Sequence, residues 1–86
     1  MRLKRVTEME ERLNRVKEWL ENPTDPVDLI DEDARILDEY YRSPLWRADF
    51  EADETGELPA DLPRGVLSED GIYNALEEYM NTRMIL

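Results

Sequence analysis

Residues 2–22 read RLKRVTEMEERLNRVKEWLEN, and their spacing decides the fold class. Leu3, Val6, Met9, Leu13, Val16 and Leu20 follow one another at steps of 3, 3, 4, 3 and 4. That is the period of an α-helix with a single apolar seam, close to a heptad. Charged side chains fill most of the other positions, with Glu11 four residues before Arg15 in the favourable order. The start of this helix has two readings. Arg2, Lys4 and Arg5 stand against the positive end of a helix dipole, whereas Thr7-Glu8-Met9-Glu10 has the form of a capping box. The spacing predicts a helix over 3–21 whose first residues, 1–6, fray unless Leu3 and Val6 find a partner.

Moving outward, Asn22-Pro23-Thr24-Asp25-Pro26 is a breaker cluster that also opens a second helix, with Asp25 as N-cap and Pro26 at the first helical position. Leu29, Ile30, Ala34, Ile36, Leu37, Tyr40 and Tyr41 then give a broad apolar stripe, so the second helix is expected over 26–42. Ser43-Pro44 repeats the start signal for a third helix over 44–55, with Trp46 and Phe50 one turn apart and Gly56 as a left-handed C-cap. Residues 56–67 hold two prolines and two glycines and cannot be helical. Leu58, Leu62, Val66 and Leu67 nevertheless recur there, which points to an ordered loop pinned across the bundle. Ser68 caps a fourth helix over 69–83, with Leu67 and Ile72 in the hydrophobic-staple arrangement. Gly71 inside that helix costs about 1 kcal/mol relative to Ala, which implies close packing at that point. The expected fold is all-α, a single domain over 1–86 of three or four helices. Its first two helices form an antiparallel hairpin, and its core gathers around Trp46, Phe50 and Tyr79.

Eighty-six residues leave room for one small core. Twenty-two acidic residues against 11 basic ones give a net charge of −11, which repels phosphate backbones and anionic membranes. No apolar run approaches the length of a membrane span and no signal-peptide pattern opens the chain, so a cytoplasmic protein is expected. With no histidine and no cysteine, His-based triads, thiol nucleophiles, disulfides and the usual zinc sites fall away. Ser43 and Ser68 are explained as helix caps, and Lys4 and Lys17 lie on a charged helix surface. Catalysis is not expected, and neither is a cofactor.

Charge is polarised along the chain. Between Ala48 and Thr82 stand ten acidic residues with Arg64 as the single cation, whereas residues 1–20 carry six basic and four acidic ones. Asp49-Phe50-Glu51-Ala52-Asp53 begins like a calcium loop, but Glu54 stands where the tight turn needs glycine, and Ala60 where it needs the bidentate Glu. A solvated acidic face is the better reading. Asp49, Asp53, Glu57, Asp61 and Arg64 form the candidate interaction surface, Arg64 being expected to hold the loop through an ion pair with Asp49, Asp53, Asp61 or Asp70.

Two blocks carry a resemblance. Trp46-Arg-Ala-Asp-Phe-Glu-Ala-Asp-Glu is followed by Gly56-Glu-Leu-Pro-Ala-Asp-Leu-Pro-Arg-Gly-Val-Leu-Ser-Glu-Asp and an Ile72-Tyr-Asn helix. Over residues 40–80 the chain resembles a family of small bacterial proteins known only as a domain of unknown function. Trp46, Asp49, Glu51, Asp53, Asp61, Arg64 and Gly71 fall on its signature positions, and Ala75 stands where the family pattern favours Leu. The resemblance implies a bacterial cytoplasmic protein and brings no activity with it. The chain is therefore expected to be a non-catalytic interaction or regulatory module. It would bind an unidentified protein through its acidic loop face or its first-helix seam. The alternatives are a DNA-mimic inhibitor of a basic nucleic-acid-binding protein and, behind it, a carboxylate- or metal-dependent enzyme. The surplus first turn, with Leu3 and Val6, adds the expectation of a homodimer through the first helix.

Overall fold

The computed structural model describes residues 2–23 and 28–85, with only the backbone at Ile85. Four helices result: α1 (Arg2–Glu21), α2 (Asp28–Arg42), α3 (Pro44–Glu54) and α4 (Glu69–Ile85), with a 3-10 turn at Gly65–Leu67 before α4. The expected Asp25 cap, Pro26 and Leu86 lie outside the described residues. Among the described residues there is no strand, and no helix is long and apolar enough to cross a membrane. The fold is a small all-α bundle.

The α1 seam packs inward. Val6, Leu13, Val16 and Trp19 are buried, and Met9 and Leu20 lie at the edge of the core. The seam as read from spacing put Leu20 in the core and passed over Trp19. In fact the indole takes that place, its ring 5.4 Å from that of Tyr79 on α4. Leu37 and Tyr40 of α2, Trp46 of α3, and Ile72, Leu76 and Tyr79 of α4 complete the core. Phe50 is only half-buried and stacks on Trp46 at 5.1 Å.

The helix starts at Arg2, not at the capping box. Positive charge at an N-terminus is unfavourable by a few tenths of a kcal/mol, yet Arg2 and Arg5 each meet a buried carboxylate there, which outweighs that cost. Glu10, read as the far end of the capping box, instead reaches across the bundle and accepts the Val66 N–H at 2.8 Å. The Val66 carbonyl accepts from the Trp46 indole N–H at 3.0 Å. Val66 is thus held through both its backbone N–H and its carbonyl, and Leu58, Val66 and Leu67 are buried there.

Ser43 does not cap α3. Its hydroxyl donates to the Tyr40 carbonyl at 2.7 Å and so closes the end of α2, while Pro44 begins α3 with no N–H to satisfy. Ser68 does cap α4, accepting the Gly71 N–H at 3.2 Å. Gly56 adopts φ +78° after α3, as a left-handed C-cap requires.

Candidate interaction site

Two carboxylates are buried among the described residues, and both join helices. Asp49 on α3 is fully buried. Arg5 clasps it with Nε and Nη2 at 2.9 and 2.6 Å, Arg2 adds its Nε at 3.0 Å, and the Tyr40 hydroxyl donates at 2.6 Å. Burial alone would raise the Asp49 pKa, but the hydrogen bonds from Arg5, Tyr40 and Arg2 outweigh it and hold the carboxyl below the usual carboxylate range. The same burial, followed by the bond to Asp49, pushes the Tyr40 hydroxyl well up, so it stays a donor.

Asp33 on α2 repeats the arrangement. Arg15 binds it with Nε and Nη2 at 2.7 and 3.0 Å, and Arg12 reaches it at 2.8 Å. The Arg15 hydrogen bond, against the burial penalty, keeps the Asp33 carboxyl low. Arg15 therefore faces Asp33 and not Glu11. Arg5 meets Asp49 beside Tyr40, near the end of α2, whereas Arg12 and Arg15 meet Asp33 nearer its start, so α1 and α2 run antiparallel.

Part of the sequence-chosen surface is engaged within the fold. Asp49 faces inward and is fully engaged by Arg2, Arg5 and Tyr40, so it leaves the surface. Asp53 is paired with Arg64, whose other nitrogens donate to the Leu62 and Pro59 carbonyls, so both residues hold the loop. Glu57 is exposed and accepts the Thr55 hydroxyl at 2.8 Å, and Asp61 is exposed. Arg2 lies between Asp49 and Glu57, at 3.0 and 4.0 Å, so these acids too are drawn into contacts within the chain. The α1 seam is equally unavailable, since it forms the core. Val6 is fully buried in its own chain and Leu3 alone of the surplus turn remains half exposed. Among the described residues no three acidic side chains are grouped so as to hold a metal ion.

What the surface does present is a strip on α4. Tyr73, Met80 and Met84, spaced at seven and four residues, share one helix face and are 50%, 64% and 84% exposed. Beside them, α2 and α4 enclose a hollow of about 400 Å³ with Tyr41 and Leu76 among its lining and Asp38 and Glu77 on its two walls. The Tyr73 hydroxyl donates to Glu77 at 3.1 Å, and Arg42 donates to Asp38 at 2.9 Å. A bidentate Arg83–Asp31 pair, at 2.7 and 2.9 Å, ties α4 to α2 a few turns farther on. Beyond Tyr41 and Arg42 a second hollow of about 380 Å³ continues toward Pro44 and Arg47.

Sequence reasoning missed Asp33, Glu10 and this strip. Asp33 had a signal: it interrupts the α2 apolar stripe between Ile30 and Leu37, while Arg12 and Arg15 share an edge of α1. Tyr73, Met80 and Met84 had one too, as a second apolar row beside Ile72, Leu76 and Tyr79. Glu10 had none. The Tyr79 hydroxyl is buried without a hydrogen-bond partner, and it lines neither hollow.

No curated protein and no solved structure matches the chain. The match to a known family spans residues 6–85, from the first buried valine to the end of α4 and so across the Arg12–Arg15–Asp33 cluster, the pinned loop and the strip. The chain belongs to the family described as domain of unknown function DUF4298.

Proposed function

We propose that this chain is a non-catalytic protein-interaction or regulatory module, working in the cytoplasm and presenting an apolar strip on an acidic helical scaffold. The observation that carries this reading is the strip itself: three large apolar side chains of α4, half exposed or more, beside a hollow floored by Tyr41 and Leu76. Tyrosine and methionine are enriched where proteins meet, and contiguous apolar surface rimmed by charge marks such places. Both buried carboxylates are fully engaged by arginines that hold helices together. They serve the fold, and neither faces a cleft in which a substrate would sit. A chain without cysteine also suits a reducing compartment.

The DNA-mimic alternative rests on the net charge of −11. On the α3–loop face Asp49 and Asp53 already have arginine partners, which leaves Glu51, Glu54, Glu57 and Asp61 as its exposed acids. Affinity capture from a bacterial lysate separates the readings. At ~0.5 M salt, where charges are screened beyond a few ångströms, an apolar complex persists and a mimic releases its target. A specific protein retained at that salt supports the interaction module. Capture of nucleic-acid-binding proteins only, all lost on raising the salt, overturns it.

A further inference from the structure

Building on the interaction reading, we propose that the hollow between α2 and α4 docks a basic amphipathic helix of another protein. The shape is that of a helix-in-groove site. The hollow is lined from Asp38 to Arg42 on α2 and from Tyr73 to Met80 on α4. At ~1.5 Å per residue the longer, α4 side is about 10 Å, or two turns of a partner helix. Two turns present anchors at i, i+3 or i+4, and i+7, which matches a floor made by Tyr41 and Leu76 and an edge made by Tyr73 and Met80. Methionine is unbranched and adapts its shape to the side chain it meets, so Met80 suits a contact of this kind.

Charge selects the occupant. Along the lining, residues 38–42 of α2 carry two acidic residues against Arg42, and residues 73–80 of α4 carry two acidic residues and no basic one. Asp38 and Glu77 stand on opposite rims, so a helix lying between them has acid on either side. Arg42 is turned to Asp38 and leaves Glu77 without a cation among the described residues. Lysine or arginine flanking an apolar stripe would meet Glu77 and the outward acids of α4. A second copy of this chain brings another −11 to the same face and is disfavoured by that repulsion. An acidic helix is disfavoured for the same reason.

The test uses the full chain and two labelled synthetic peptides of about 18 residues, long enough for five turns. Both carry leucine at i, i+4, i+7 and i+11; one has lysine on the flanks and the other glutamate. Fluorescence anisotropy should show saturable binding of the lysine peptide and none of the glutamate peptide. Met80→Asp should weaken the lysine peptide roughly tenfold or more, as loss of an apolar contact and a charge set against leucine do. Leu29→Asp changes an exposed apolar residue of α2 that does not line the hollow, and should leave binding unchanged. Because Met80 is exposed, the variant should keep its circular-dichroism melt. Resonances of Tyr41, Tyr73 and Leu76 should shift on titration of the wild type. The proposal is overturned by no binding of either peptide, by equal binding of both, or by Met80→Asp binding as well as the wild type. It is also overturned if sedimentation shows the chain pairing with itself through this face. None of these outcomes touches capture of a protein partner at high salt, so the interaction reading stands or falls separately.

Discussion

Asp49 shows how one residue can be read two ways. From sequence it is one more acid in an acidic block; in the structure it is the point where α1, α2 and α3 are joined. Removing a partner from a buried, fully bonded charge cluster leaves the others uncompensated, at a cost of about 3–5 kcal/mol. Asp49→Ala is expected to destabilise the protein by that amount in urea unfolding, and Asp53→Ala, at a partly exposed pair, by about 1 kcal/mol or less. The pH dependence follows from the depressed carboxyls. Asp33 and Asp49 titrate below the unfolded value of about 3.9, so their charge contributes stability that is fully present above that pH. It is lost as the pH falls through the folded values. Relief of repulsion among the exposed acids acts in the opposite sense, so the informative quantity is the difference between wild type and Asp49→Asn. That difference should be constant from pH 7 to about 5 and shrink below about 4. A difference unchanged down to pH 2 would mean that Asp49 is not charged in the fold.

At the scale of elements, the helices were legible because apolar spacing and proline breakers are local signals. Trp46, Tyr79 and the apolar residues of the 56–67 loop were legible as core for the same reason: a floppy linker needs none of them. What spacing could not reveal is which distant groups meet. Arg2 and Arg5 find Asp49 across 47 and 44 positions, and Glu10 finds Val66 across 56. Without those partners, the basic first turn looks misplaced and a later start at Thr7 looks better. The start of α4 gives the sharpest element-scale test. Helix propensity alone says that Gly71→Ala stabilises by about 1 kcal/mol. A Cβ there would stand 3.2 Å from the Ser68 side chain that caps the helix and 3.3 Å from the Gly65 carbonyl of the pinned loop. Crowding against backbone outweighs propensity, and Gly71→Ala is expected to lower stability by roughly 1 kcal/mol in urea unfolding. A stabilised variant would show that loop and helix are less tightly joined than this.

For the whole molecule, the polarised charge turns out to be an internal complementarity. The basic side of α1 is matched by Asp33 and Asp49, so the acid left over faces solvent on α2, α3 and α4. The dimer expectation rested on a first turn with nothing to bind. With Val6 buried and Arg2 and Arg5 engaged in the chain itself, sedimentation at tens of micromolar in ~0.15 M salt should give one species near 10.2 kDa. The interaction surface was the least legible feature, because Asp49, Asp53 and Arg64 are bound within the fold and an exposed second apolar row on α4 carries no motif. The account therefore turns on position 80. A photo-crosslinking amino acid placed there in living bacteria should yield a discrete adduct with one other protein, while the same group at position 61, on the acidic loop, should yield none. An adduct from position 61 and none from position 80 would contradict the account.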